Sequence, residues 1–178
     1  GKSPNGTGSY FYFATPTPGL PNSTTAYAEA LNPPTFSQWS GFYTTGFSLS
    51  LSSTTPGTTI IYTLDGSDPD ENNLAGTTYS YKNSYAELAG QSGGPLLQNS
   101  FRSFAYSSPI AIVNRSAQAN KLAAMSSTQH HTPDYIPTTP IFKGTVVRAK
   151  VIKPGALPSK VASRTYFITP AGSSEFSL

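Results

Sequence analysis

Thr58-Thr59-Ile60-Ile61-Tyr62-Thr63-Leu64-Asp65-Gly66-Ser67-Asp68-Pro69, residues 58–69, is the stretch that decides the fold. Its first half is almost wholly β-branched or aromatic, which fits a pleated strand, and Asp65-Gly66 follows at once as a turn signal. Glycine adopts positive φ without steric cost, and an aspartate at that position caps its own turn by accepting from nearby backbone N–H groups. The expectation is a core strand ending in a tight turn.

Working outward, residues 47–52, FSLSLS, alternate apolar and polar with period two, as a strand with one buried face does. The intervening SSTTPG suggests that residues 47–64 form a hairpin whose apolar faces seed the core. Toward the C-terminus, residues 146–152 and 161–168 read as a second strand pair, with Val147, Ala149 and Val151 inward and Arg148 and Lys150 toward water. Residues 110–113 are another short strand. The segment at 114–131 contains helix formers and suggests one or two helical turns.

Composition agrees. Of 178 residues only 11% are charged, and there are 15 Gly and 16 Pro. Short apolar runs among Ser, Thr, Gly and Pro belong to a turn-rich all-β module. The eleven Lys and Arg are scattered, and no helix presents a basic face, so a nucleic-acid partner is not expected. No apolar run reaches the 18 residues of a membrane span. The chain has no cysteine, which leaves the compartment open.

The opening residues 9–14, SYFYFA, read as one aromatic strand needing partners elsewhere in the fold or in another chain. An extended, proline-stiffened linker follows. GKSPNGTGSYFYFATPTPGLPN, residues 1–22, resembles the last strand and exit of a lamin-tail domain, with Lys2 and Asn5 where that family usually has Arg and Asp. From residue 33 the resemblance is to the chitobiase/β-hexosaminidase C-terminal module. It rests on Pro34-Thr35-Phe36-Ser37, Ser40-Gly41-Phe42-Tyr43, residues 61–69, Pro109-Ile110, residues 145–150, Pro154-Gly155, Pro158-Ser159 and Thr165-Tyr166-Phe167. The resemblance spans residues 33–170, with an insertion at about 70–106. Residues 171–178 read as a linker toward a following domain, and within them GSSEFSL, residues 172–178, resembles the lead-in to a CotH-type kinase domain.

These likenesses imply an immunoglobulin-like antiparallel β-sandwich, an accessory module of a secreted or cell-surface bacterial protein whose chemistry lies in another domain. The expected partners are other domains of that protein or a surface protein. The residues themselves offer two further functions. Aromatic rings among amides suit polysaccharide, since a flat ring stacks on a pyranose, and Trp39, Tyr79, Tyr81 and Tyr85 are the candidates. Alternatively, residues 9–14 donate a strand to a partner chain.

Catalytic signatures are lacking: there is no Gly-x-Ser-x-Gly elbow and no cysteine, and half the eight acids crowd one turn. That crowd, Asp65, Asp68, Asp70 and Glu71, is a candidate calcium site, because clustered oxygens on a turn suit a hard cation. His130-His131 lacks the further ligands of a zinc site.

Overall fold

The computed structural model describes residues 1–22, 24–82, 84–120, 139 and 141–169. His130, His131, Asp134, Glu175 and the 171–178 tail lie outside the described residues, as does the suggested helical segment beyond Asn120. The fold is all-β, as the composition implies.

At the N-terminus, β1 (Lys2–Ser3) pairs antiparallel with β2 (Ser9–Tyr10), and β3 (Tyr12–Phe13) with β4 (Ala26–Tyr27). The aromatic segment is therefore two short strands rather than one, and their partners are inside the chain, the first of the two alternatives, which removes the motive for strand donation. The proline-rich stretch is the connection that lets β4 return on β3 rather than an extended linker.

The sandwich proper has two layers. One carries β5 (Thr35–Phe36), paired with β8 (Leu51–Ser52), and β7 (Phe47–Leu49), paired with β13 (Ile110–Ile112). Ser50 interrupts the run between β7 and β8, and its backbone groups bond instead to Ser37. The other layer is a five-stranded sheet in the order β12, β9, β14, β15, β6. Its members are β6 (Gly41–Tyr43), β9 (Thr59–Thr63), β12 (Phe104–Ala105), β14 (Thr145–Ile152) and β15 (Ala162–Ile168). All neighbours are antiparallel except β15 and β6.

Residues 47–64 are therefore not a hairpin. β7 and β8 belong to one layer and β9 to the other, so SSTTPG carries the chain across the core. Alternation shows that each strand buries a face, but two strands pointing buried faces at each other satisfy it as well as two side by side.

Between the layers, Leu49, Leu51, Ile110 and Ile112 meet Ile60, Val147, Ala149, Val151, Tyr166 and Ile168. The inward set expected on β14 is fully buried. Tyr43, Phe47 and Tyr166 close one end, with Phe47 edge-on to Tyr166 at 5.5 Å. Entry to the sandwich is also built in: Leu31 lies in the core, its N–H donates to the Leu157 carbonyl, and the Leu157 N–H donates to the Glu29 carbonyl. Lys153 pairs with Glu29 at 2.9 Å.

Candidate functional site

Three features of the surface come from the residues singled out in the sequence. The first is the acidic turn. Asp65 caps its own turn, accepting from the Ser67 backbone N–H and hydroxyl, and Gly66 sits at φ 86°. After that turn the chain lies back across the face of the five-stranded sheet remote from the main core. Thr63 donates its hydroxyl to the Ser67 carbonyl at 2.6 Å, and Arg148 donates to the Gly66 carbonyl at 2.8 Å while pairing with Asp68. Lys150 pairs with Glu71 at 2.9 Å. Asp70 caps a single 3-10 turn, Glu71–Asn73, and its own N–H donates to Ser103.

The four carboxylates are thus dealt out to separate partners: two to β14 cations and two to local backbone and hydroxyl donors. Among the described residues no three acidic or imidazole groups converge as metal ligands do. The flap formed by residues 65–73 covers Ile61, which is 1% exposed, and Ser103, likewise buried. Arg148 and Lys150 face outward as expected, but they meet the flap rather than open water. The Lys150 ammonium beside Glu71 holds its carboxyl below the usual range.

The second feature is the insertion. β10 (Thr77–Tyr81) and β11 (Leu97–Phe101) form an antiparallel ribbon that pairs with no other strand among the described residues, closed at its base by Asn73. The register places Tyr79 and Tyr81 on one face with Leu97 and Phe101, and Thr78, Ser80, Gln98 and Ser100 on the other. Tyr79 stands 6.2 Å from Tyr81 and 6.3 Å from Phe101, and both tyrosines are half-buried. Tyr85 lies half-buried in the loop joining the two strands. Cross-strand aromatic packing is what lets such a ribbon persist, so these rings have a local structural role.

Trp39 is the third. It belongs to the loop between β5 and β6 at one edge of the five-stranded sheet, whereas the insertion re-enters through β12 at the opposite edge. The four aromatic candidates do not make one surface. The Trp39 indole is 77% exposed, with the Arg164 guanidinium 5.0 Å from its centroid. Arg164 also lies 5.6 Å from the Phe36 ring. Sequence reasoning missed Arg164 because it is far along the chain; the signal available was its period-two spacing from Tyr166 and Ile168 on β15, both buried.

Two shallow grooves also lie on the described surface. One, among Tyr27, Glu71, Lys153 and Pro158, lies between β4 and the flap; the other runs beside Leu51, Thr55 and Tyr106. Neither gathers a set of catalytic groups.

Against family models, the chain matches "Fn3 associated" over residues 49–166. It belongs to the Fn3-associated family. That family consists of non-catalytic accessory domains and is found in chitobiase-like proteins, in line with the resemblance drawn from the sequence. Within this Fn3-associated domain the match begins at Leu49 and ends at Tyr166, so it takes in β8 through most of β15. β5 and β6 precede it yet are hydrogen-bonded into the same two layers. Searches of the curated proteins and of the solved structures returned no match.

Proposed function

We propose that the chain is a spacer or docking module of a larger secreted or cell-surface bacterial protein. Its immunoglobulin-like sandwich occupies residues 33–170, preceded at 1–22 by the end of a lamin-tail domain and followed at 171–178 by a linker toward a CotH-type kinase domain. Membership of an accessory family supports this, and one observation carries it: the entry segment that precedes the sandwich is packed into it. Leu31 packs in the core, Glu29 is ion-paired to Lys153, and the backbone of residues 29–31 is bonded to Leu157. A spacer that seats its incoming chain this way fixes the direction of what precedes it, which a free tether does not.

The test is backbone NMR relaxation on the full chain. Residues 26–31 should tumble with β14 and β15, with order parameters near ~0.85. Values below ~0.6 across residues 26–31 would reduce the segment to a flexible leash and end the proposal. Address is tested separately by fractionating the source cells. Recovery of the parent protein only from the soluble interior would refute the surface assignment.

A further inference from the structure

A single exposed aromatic ring is ordinary. What sets Trp39 apart is how firmly its backbone is held while its side chain stays in water. Ser37 exchanges bonds with Ser50 through both backbone and hydroxyl groups. The Gln38 carbonyl accepts from the buried Tyr166 hydroxyl at 3.0 Å, and the Trp39 carbonyl from the Tyr43 hydroxyl at 2.7 Å. The Ser40 hydroxyl accepts from the Thr165 N–H at 3.1 Å. Each of the four loop residues is tied to the body of the sandwich, so the indole is presented at nearly fixed position, and little ordering cost is left for a ligand to meet.

Beneath the ring, Arg164 is held between Trp39 and Phe36 and donates to the Ser163 carbonyl. Among the described residues its Nε has no acceptor and no carboxylate pairs with it. Arg148 and Lys150 on β14 and Lys153 in the following loop each have an acid. What the surface presents is a full positive charge with no acid beside it among the described residues, on the face of an exposed indole.

We propose that Trp39 and Arg164 form a binding ledge for acidic polysaccharide, the indole stacking on a pyranose face and the guanidinium pairing with a uronate carboxylate. An open ring suits a polymer: Trp39 lines neither of the two grooves described above and is exposed at the sheet edge. A planar fork that binds carboxylate bidentately suits the acid. The tyrosines of the insertion take no part, because they lie at the other sheet edge.

The chain has one tryptophan, so intrinsic tryptophan emission reads this ledge alone. Titrating the full chain with oligogalacturonate should give a saturable change in emission, weakened by added salt. Cello-oligosaccharide of equal length should bind roughly tenfold more weakly or not at all. By calorimetry, Trp39→Ala and Arg164→Gln should each lose roughly tenfold or more in affinity. Trp39→Ala should unfold at an unchanged midpoint, since the ring is exposed. If Arg164→Gln fails to fold, Trp39→Ala and the salt dependence carry the test. No saturable response to oligogalacturonate, equal binding of the neutral sugar, or affinity indifferent to Trp39→Ala would each overturn the proposal. The spacer function stands or falls on residues 26–31 and is untouched by any of these results.

Discussion

Lys150 stands directly opposite Ile61 across the β9–β14 ladder, so the two share the side of the sheet that faces away from the main core. Val147, three residues earlier on β14, points the other way, between the layers. Both apolar side chains are fully buried, but by different parts of the chain, one by the sandwich and one by the flap. Replacing either with alanine leaves a cavity, and each should cost about 2–4 kcal/mol in urea unfolding. The difference lies in amide exchange. Ile61→Ala should raise exchange first at the Asp70 and Ser103 N–H groups, while Val147→Ala should raise it across β14 and β15. A loss below ~0.5 kcal/mol at Ile61 would show that the flap does not seal that face.

Ile61 also shows what the sequence had to offer. In residues 59–64 the apolar character does not alternate, and Ile60 and Ile61 are both buried; a strand without alternation has both faces covered. That signal was present in the stretch that fixed the fold class, and it already required a cover on the outer face. The cover's identity was not legible. It depends on Arg148 and Lys150, which approach residues 66–71 only because β14 pairs with β9. Seen without that pairing, four acids on a turn have no visible counter-charges and read as cation ligands. The same limit hid Arg164 beneath Trp39. Pattern reported which residues are buried; which sheet buries them is set by pairing between distant segments.

The flap has a defined pH dependence. Folding lowers the pKa of Glu71, chiefly through its hydrogen bond from Lys150, so the native state favours the ionised carboxylate. That contribution is complete above the ordinary carboxylate range and is lost as pH falls through the depressed native value. Glu71 is 41% exposed, which screens the pair, so its share should stay below ~1 kcal/mol. Unfolding measured between about pH 7 and pH 3 should show a shallower acid loss in Glu71→Gln than in the parent chain. Identical slopes would mean the pair forms equally well in the unfolded chain or not at all.

Leu31 tests whether the fold extends beyond the residues matched by the family. It precedes Leu49 by eighteen positions, yet it packs with Val151 and Ala156 in one core. Leu31→Ala should destabilise by about 2–4 kcal/mol, whereas Glu29→Ala, which removes only a half-exposed ion pair, should cost no more than ~1 kcal/mol. A chain truncated to begin at residue 33 should lose at least as much as Leu31→Ala. Equal stability of the truncated and intact chains would place the entry segment outside the cooperative unit.

Tyr166 gives the sharpest alkaline signature. Its ring is buried against Phe47 and Tyr43, and its hydroxyl donates to the Gln38 carbonyl at 3.0 Å. Burial pushes its pKa up to about 12, against about 10 for an ordinary tyrosine. The native state therefore favours the neutral phenol. That preference stabilises fully below about pH 10 and disappears as pH rises toward the native value. Ultraviolet titration of the native chain should show a late-ionising tyrosine that is missing in Tyr166→Phe. At neutral pH the same substitution should cost about 1–2 kcal/mol, because it strands the Gln38 carbonyl. It should also loosen the loop that carries Trp39, visible as greater depolarisation of tryptophan emission. An unchanged anisotropy in Tyr166→Phe would mean that the hydroxyl does not hold that loop, and the fixed presentation of the indole would need another cause.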